Sequence, residues 1–546
     1  MSSTVAAMKR RDLKKGHDSS DLRRRRGETT INLRKQKKEQ GLAKRRNTTA
    51  ASLLPTAPLQ DSNNNASKPG PRTYTVKDIP DLAKGLTSTA PAVRTDAARG
   101  LRKILSREGN PPVDEVIKAG AMPLLVQCLD DIDNTDLQFE TAWALTNIAS
   151  TSKTRVVVEH GAVPSLVRNL RHHNPELREQ CAWCLGNIAG DCSELRDMVL
   201  KTDALQGLLL NITQPASASL LRNCVWAVSN FCRGKPQPDI ASVMPAIPIL
   251  AQLVGSDDNE VLVDTCWALS YLSDGDSERI QSVIDAGTVD SLTRLLGHES
   301  CHVVTPALRT LGNFVTGEDA QTQVVLDAGV LPLVEALLHH KKKNIRKEAC
   351  WTLSNVAAGT PAQLAAVCQC QGVIPSVIEL LEAGEWEVQK EANFVISNIA
   401  TAGNVTHVRE VVNMGAIPAL CEMLDRADAK GVMVTLDALS SILRHDPAGS
   451  PWAAMVDESD GLDRLEQLQE HENSKVYEKA VYILETYFGC DSDVEDVDLA
   501  PTLSKGSGTY SFGFSGANQE NIDSSAAGST GELPAFGSSG QQFNFA

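Results

Sequence analysis

Tryptophan is rare in this chain, with seven copies in 546 residues, and five of the seven fall in one phase. They sit in "AWALTNIAS" (Trp143), "AWCLGNIAG" (Trp183), "VWAVSNFCR" (Trp226), "CWALSYLSD" (Trp267) and "CWTLSNVAA" (Trp351). The same phase carries Arg309 in "LRTLGNFVT" and Phe394 in "NFVISNIAT", so successive spacings are 40, 43, 41, 42, 42 and 43 residues. Asparagine follows four residues later at Asn147, Asn187, Asn230, Asn313, Asn355 and Asn398. On a helix, positions i and i+4 stack on one face. A ladder of indoles and primary amides suits an extended peptide. Each amide can donate to a backbone carbonyl and accept from a backbone N–H. Gaps between parallel indoles form slots for long alkyl stems, and a cation at the end of the stem meets a ring face. Carboxylates complete such slots: Asp191 lies four residues after Asn187, and Asp264, Glu348 and Glu391 each lie three before a ladder position. The predicted ligand is an extended peptide rich in Lys and Arg. The plain alternative makes Trp a core residue and Asn a cap for a neighbouring loop. The number of copies at fixed spacing favours the ligand.

The ladder needs a periodic scaffold, and a second marker runs at the same period. It reads "GAMP" at Gly120, "GAVP" at Gly161, "GVLP" at Gly329, "GVIP" at Gly372 and "GAIP" at Gly415. Glycine can end one helix in the left-handed region, and proline suits the first turn of the next. Each unit then reads as a short helix, a Gly break, a second helix, a polar loop and a longer helix. A period near 42 with about three helices per unit is the armadillo pattern. No sustained alternation bounded by hairpin turns signals strands. The expected fold is all-α: a right-handed armadillo-repeat solenoid of about ten repeats over residues 75–490, with one concave groove. Residues 1–50 form a basic arm and 51–74 a Ser/Asn/Ala/Pro-rich flexible linker. Residues 491–546 form a disordered tail, first acidic and then Gly/Ser-rich.

Charge sharpens this division. The arm holds 16 Lys and Arg against 5 Asp and Glu, a net of +11; the remainder holds 37 against 63, a net of −26. The arm can meet an external anion or fold back onto its own body. The 13 cysteines sit mostly in apolar helical patterns, which fits a reducing compartment. No apolar run of about 18 residues suggests a membrane helix, and the N-terminus lacks the apolar core of a secretory signal. Cys181 and Cys184 form a lone CxxC inside a helix and read as core. His172/His173, His339/His340 and Lys341–Lys343 read as solvated loops. Phosphate-loop, HExxH and nucleophile-elbow motifs are absent, so neither an enzyme nor a metal or other cofactor is expected.

These residues resemble the importin-α family, the adaptors of nuclear import. The segment "DLRRRRGETTINLRKQKKEQGLAKRRN" is similar to the family's importin-β-binding arm, and Leu468–Gly489 to its closing repeat. The resemblance spans nearly the whole chain and implies two peptide sites. The major site would use Trp143, Asn147, Trp183, Asn187, Trp226, Asn230 and Trp267. Asp191 and Thr154 would hold a key lysine, with Gln180 and Asp264 nearby. The minor site would use Arg309, Asn313, Thr322, Glu348, Trp351, Asn355, Glu391, Phe394 and Asn398. Arg309 and Tyr271, in place of Trp and Asn, would separate the two. Phe394 stands where the family has Trp, and the loop Ala149–Thr154 is one residue short of the family's Gly-containing form. Lys44, Arg45 and Arg46 resemble a localisation signal built into the chain and imply autoinhibition. The implied partners are importin-β, cargo with basic localisation signals, and a recycling exportin with Ran-GTP. No direct nucleic-acid or membrane contact is implied, and the implied location is cytoplasm and nucleus, with transit through the nuclear pore.

Two rivals make different demands. An armadillo scaffold of the adhesion or signalling type needs a basic groove for acidic partner tails. A nucleic-acid binder acting through the arm needs steeply salt-dependent affinity. The groove carboxylates and the acidic body favour a basic peptide over either.

Overall fold

The computed structural model of the chain describes Arg45, residues 73–107, 110–446 and 451–488, and the short segments 502–503 and 510–511. Expectations for the rest of the arm, most of the linker and most of the tail lie outside the described residues. They include Lys44, Arg46, the acidic stretch Asp491–Asp498 and the disorder expected of both flanks. Two compact units divide the chain, Met1–Tyr487 and Phe488–Ala546.

The first unit is built from helices that recur at the period of the ladder. Ten of them, among the described residues, continue its phase. They are Pro91–Leu105, Thr135–Ala149, Pro175–Asp191, Ala218–Cys232, Asn259–Leu272, Cys301–Phe314, Lys343–Ala357, Trp386–Ala402, Ala429–Arg444 and Ser474–Ile483. Each packs against the next in sequence order, as a solenoid requires. The polar loops before them supply the caps. Asn134, Asn174, Ser217, Asp258, Asp428 and Asn473 each accept a backbone N–H of the helix they precede. Each such cap is worth about 1 kcal/mol.

The Gly marker acts as expected. Gly120, Gly161, Gly329, Gly372 and Gly415 have φ between 68° and 96°, a region that costs other residues a Cβ clash. Each directly precedes a helix, and the proline two residues into that helix lies within its first turn. Gly287, at φ 75°, holds the same place in a unit without the proline, which the sequence pattern passed over.

The ladder helices are apolar nearly all round because neighbours cover them on several sides. In Pro175–Asp191, the residues Leu177, Cys181, Ala182, Cys184, Leu185 and Ile188 are fully buried. Burial drives the Cys184 thiol up to about 12 and raises Cys181 as well, the behaviour of packed core thiols. None of the twelve described cysteines is in a disulfide. No single described helix is long and apolar enough to cross a membrane.

The described residues of the second unit include two short strands. Thr502–Leu503 and Tyr510–Ser511 pair antiparallel, Thr502 opposite Ser511. Both segments carry a residue type that favours extended backbone. Two residues per strand are too few to show as alternation.

Candidate peptide-binding groove

Most of the ladder asparagine side chains are tied to the preceding repeat. Asn187 Nδ2 donates to the Thr146 carbonyl at 3.1 Å, and Asn230 Nδ2 to Gly186 at 3.0 Å. Asn313 Nδ2 donates to Ser270 at 2.9 Å, and Asn398 Nδ2 to Ser354 at 2.7 Å. In each pair the acceptor stands one residue before the equivalent ladder position of the previous helix. The plain reading of Asn as a structural bond is therefore correct in part, with a helix carbonyl as acceptor and not a loop. One proton of the amide ties two repeats together and orients the group. At Asn187 this leaves the other proton and the oxygen to meet a ligand backbone, whereas Asn313 Nδ2 also donates to Ser273 Oγ at 3.2 Å. At the first position Asn147 Nδ2 instead donates to Ser106 Oγ at 2.9 Å.

The indoles are buried further than the sequence implied. Trp143, Trp226 and Trp351 are no more than 5 % exposed, whereas Trp183, Trp267 and Phe394 are half-buried. Glycines explain two of the buried rings. A Cβ on Gly186 would lie 2.6 Å from Cζ3 of Trp226, and one on Gly312 would strike Trp351. The absent side chain lets the next repeat's ring lie flat on the preceding helix.

Arg45 shows what the groove can hold. Its N–H donates to Asn187 Oδ1 at 2.9 Å. Its carbonyl accepts from Asn187 Nδ2 at 3.0 Å and from Trp183 Nε1 at 2.8 Å. In an extended chain the N–H and C=O of one residue point to the same side, so one amide can grip both. The Arg45 guanidinium lies 4.8 Å from the centre of the Trp226 ring, with Nη2 3.2 Å from an Asp264 oxygen. Backbone capture, a cation over an indole and a terminal carboxylate thus converge on one residue.

Burial pushes the Asp264 carboxyl up to about 6, and the charge and hydrogen bond of Arg45 pull against that rise. The sign follows. That value is reached with Arg45 in the slot; a cation lowers the Asp264 pKa from a higher value in the empty slot, so its binding expels a proton and strengthens as pH rises from about 6 upward. Lowering pH from 7.5 to 5 is expected to weaken a basic peptide in this slot about three- to tenfold. An Asp264→Asn chain should lose that dependence in an anisotropy titration.

The remaining predicted residues divide. Asp191 is exposed at the C-terminal end of its helix, and Gln180 is buried with its Oε1 unpartnered among the described residues. Thr154 is fully buried, its hydroxyl 2.8 Å from the Ala149 carbonyl and 2.9 Å from that of Thr151. It closes its own short loop. In the second set, Arg309 Nε donates to Glu348 Oε2 at 2.8 Å and Nη2 to Oε1 at 2.5 Å, so Glu348 is met from within the chain. Burial opposes the charge of Arg309, and Glu348 outweighs it, leaving the guanidinium pKa raised. Asn355 is buried with its Nδ2 unpartnered among the described residues, as is the hydroxyl of Thr322. Glu391 is half-buried. Between the sets Tyr271 stacks on Trp267, ring centres 5.8 Å apart. Pro306 takes the place, three residues before the ladder position, where Asp264, Glu348 and Glu391 carry acids.

Residues 9–99 match the importin beta binding domain. Residues 109–150, 151–190, 235–274, 276–316 and 318–358 match the armadillo/beta-catenin-like repeat, and 450–502 an atypical Arm repeat. Importin subunit alpha-6 of Arabidopsis thaliana is 50 % identical over 529 residues, covering 94 % of this chain and 97 % of the relative. The chain belongs to the importin-α family.

Nuclear import, without enzymatic activity, goes with importin-α membership, as does movement between cytoplasm and nucleus. Importin subunit alpha-2 of Arabidopsis thaliana matches over about half of each chain, at 46 % identity over 282 residues. Among solved structures, an engineered protein aligns with a TM-score of 0.69 at 28 % identity, covering 75 % of this chain and 98 % of its own. Relative to the importin-α pattern read from the sequence, the structure adds Arg102 and Ser106. Both lie on the ladder phase one unit before Trp143 and Asn147. Extending the period backwards by 41 residues would have found them.

Proposed function

We propose that this importin-α binds Lys/Arg-rich nuclear localisation signals, mono- or bipartite, as extended peptides along the ladder, and carries the attached cargo to importin-β. The observation that carries the reading is the capture of Arg45: one amide on both its backbone groups, one indole and one carboxylate on its side chain. Asp264 beside Trp226 gives the slot its preference for a cation, which counts against a groove made for acidic tails. The stretch Lys44–Arg46 acts as an internal competitor. Importin-β, on taking up the arm, frees the groove. The late repeats bind a recycling exportin with Ran-GTP, and the loaded adaptor passes through the nuclear pore.

The test is an anisotropy titration of a fluorescent PKKKRKV-type peptide with the full chain, alone and with saturating importin-β. Tighter peptide binding in the presence of importin-β is expected. Absence of peptide binding under both conditions overturns the reading.

A further inference from the structure

One geometric relation recurs along the groove. The slot between two successive ladder positions takes its carboxylate from three residues before the second. Between Trp226 and Trp267 that acid is Asp264, and the occupant is Arg45 from the arm. Between Arg309 and Trp351 the acid is Glu348, and the occupant is Arg309 itself. The same construction stands at the first slot, between Arg102 and Trp143. There Arg102 Nε donates to Glu140 Oε2 at 2.8 Å, and its guanidinium lies 4.3 Å from the centre of the Trp143 ring. Glu140 is only 5 % exposed, and Arg99 Nε donates to its other oxygen at 2.8 Å. Arg102 therefore meets an indole and a buried carboxylate as Arg45 does, with one difference: its indole is on the helix that carries the acid, whereas Arg45 lies over the indole of the preceding helix.

We propose that Arg102 is a resident occupant of the first cation slot. It ends the stretch of groove open to a basic peptide and selects against positive charge in ligand residues that reach past Trp143. This rests on the reading of the groove as a site for basic peptides. Facing groups reinforce the effect. Arg99 shares Glu140 with Arg102, while on the same helix Arg94 is paired with Asp131 and Lys103 lies over the Tyr74 ring. A lysine arriving past Trp143 meets fixed cations and finds the buried carboxylate already bound. Without Arg102, Trp143 loses the guanidinium on its ring and Glu140 keeps Arg99 from this helix, so the slot changes from excluding a cation to accepting one.

The experiment uses the full chain carrying Lys44→Ala, Arg45→Ala and Arg46→Ala, with Arg102 intact or replaced by Ala. The probes are fluorescent PKKKRKV-type peptides extended at either end by two lysines, two aspartates or two serines. With Arg102 intact, lysine at the end that reaches past Trp143 is expected to give no gain over serine. With Arg102→Ala the same lysine is expected to gain about three- to tenfold, the scale of one partly exposed ion pair on an aromatic face. Adding Glu140→Gln should abolish the gain, and Arg102→Lys should keep the parent ranking. Arg102→Gln serves as the second variant and decides the matter if the alanine chain melts early. An unchanged ranking of peptides in the Arg102 variants overturns the proposal. Failure of the parent chain to bind any basic peptide overturns the groove reading instead.

Discussion

Replacing Lys44, Arg45 and Arg46 by alanine in the full chain is expected to tighten binding of a labelled Lys-rich peptide about ten- to hundredfold. Arg45 gives the physical reason. Its backbone accepts or donates three hydrogen bonds, its guanidinium pairs with Asp264, and its charge sits over Trp226. Each contact is modest, because folding and binding exchange them for contacts with water. The arm and the groove belong to one chain, however, so the local concentration of the competitor is on the order of millimolar. An arm with intrinsic Kd of about 10–100 µM would then occupy the groove ten to a hundred times more often than not. The measurement is the ratio of peptide Kd values for the two chains. Equal values would remove the internal competitor and leave the groove itself intact.

Asn187→Ala is expected to weaken the same peptide about ten- to hundredfold, measured in the chain with the arm residues replaced. The amide of Asn187 holds both backbone groups of Arg45, and its loss removes two hydrogen bonds to a partly buried ligand residue at about 0.5–1.5 kcal/mol each. The same variant removes the amide's bond to the Thr146 carbonyl at 3.1 Å, which keeps its bond from the Ser150 N–H. That should lower unfolding stability by about 0.5–1.5 kcal/mol in urea. Asn230→Ala, which removes the equivalent inter-repeat bond to Gly186 without touching Arg45 among the described contacts, separates the two effects. It should cost similar stability and less affinity for a peptide centred on the Arg45 slot. Affinity losses that track stability losses across both variants would reduce the ladder to a structural device.

Most of the repeat architecture was legible because its signals are local. The Gly markers require a left-handed backbone, the polar loops cap the following helices, and both recur at one period. The ladder was legible for the same reason, since four-residue spacing on a helix fixes a shared face. The tail strands escaped because two residues carry no alternation. The burial of Trp226 and Trp351 escaped because it depends on Gly186 and Gly312, which lie one repeat earlier and touch the rings only after stacking.

The amino-acid order by itself determined the period, the helical units, the ladder residues, and the opposition of a basic arm to an acidic body. Those properties follow from backbone preferences and charge counts, which act within a few residues or add over the chain. Tertiary structure decided how each side chain divides its bonds. It gave one proton of Asn187 to Thr146 and the rest of the amide to Arg45. It set Glu348 and Glu140 against resident arginines and left Asp264 to the arm. All three acids occupy the same place in the repeat. What separates them is whether the preceding ladder position holds a guanidinium long enough to reach across, a contact that exists only when one repeat is stacked on the next.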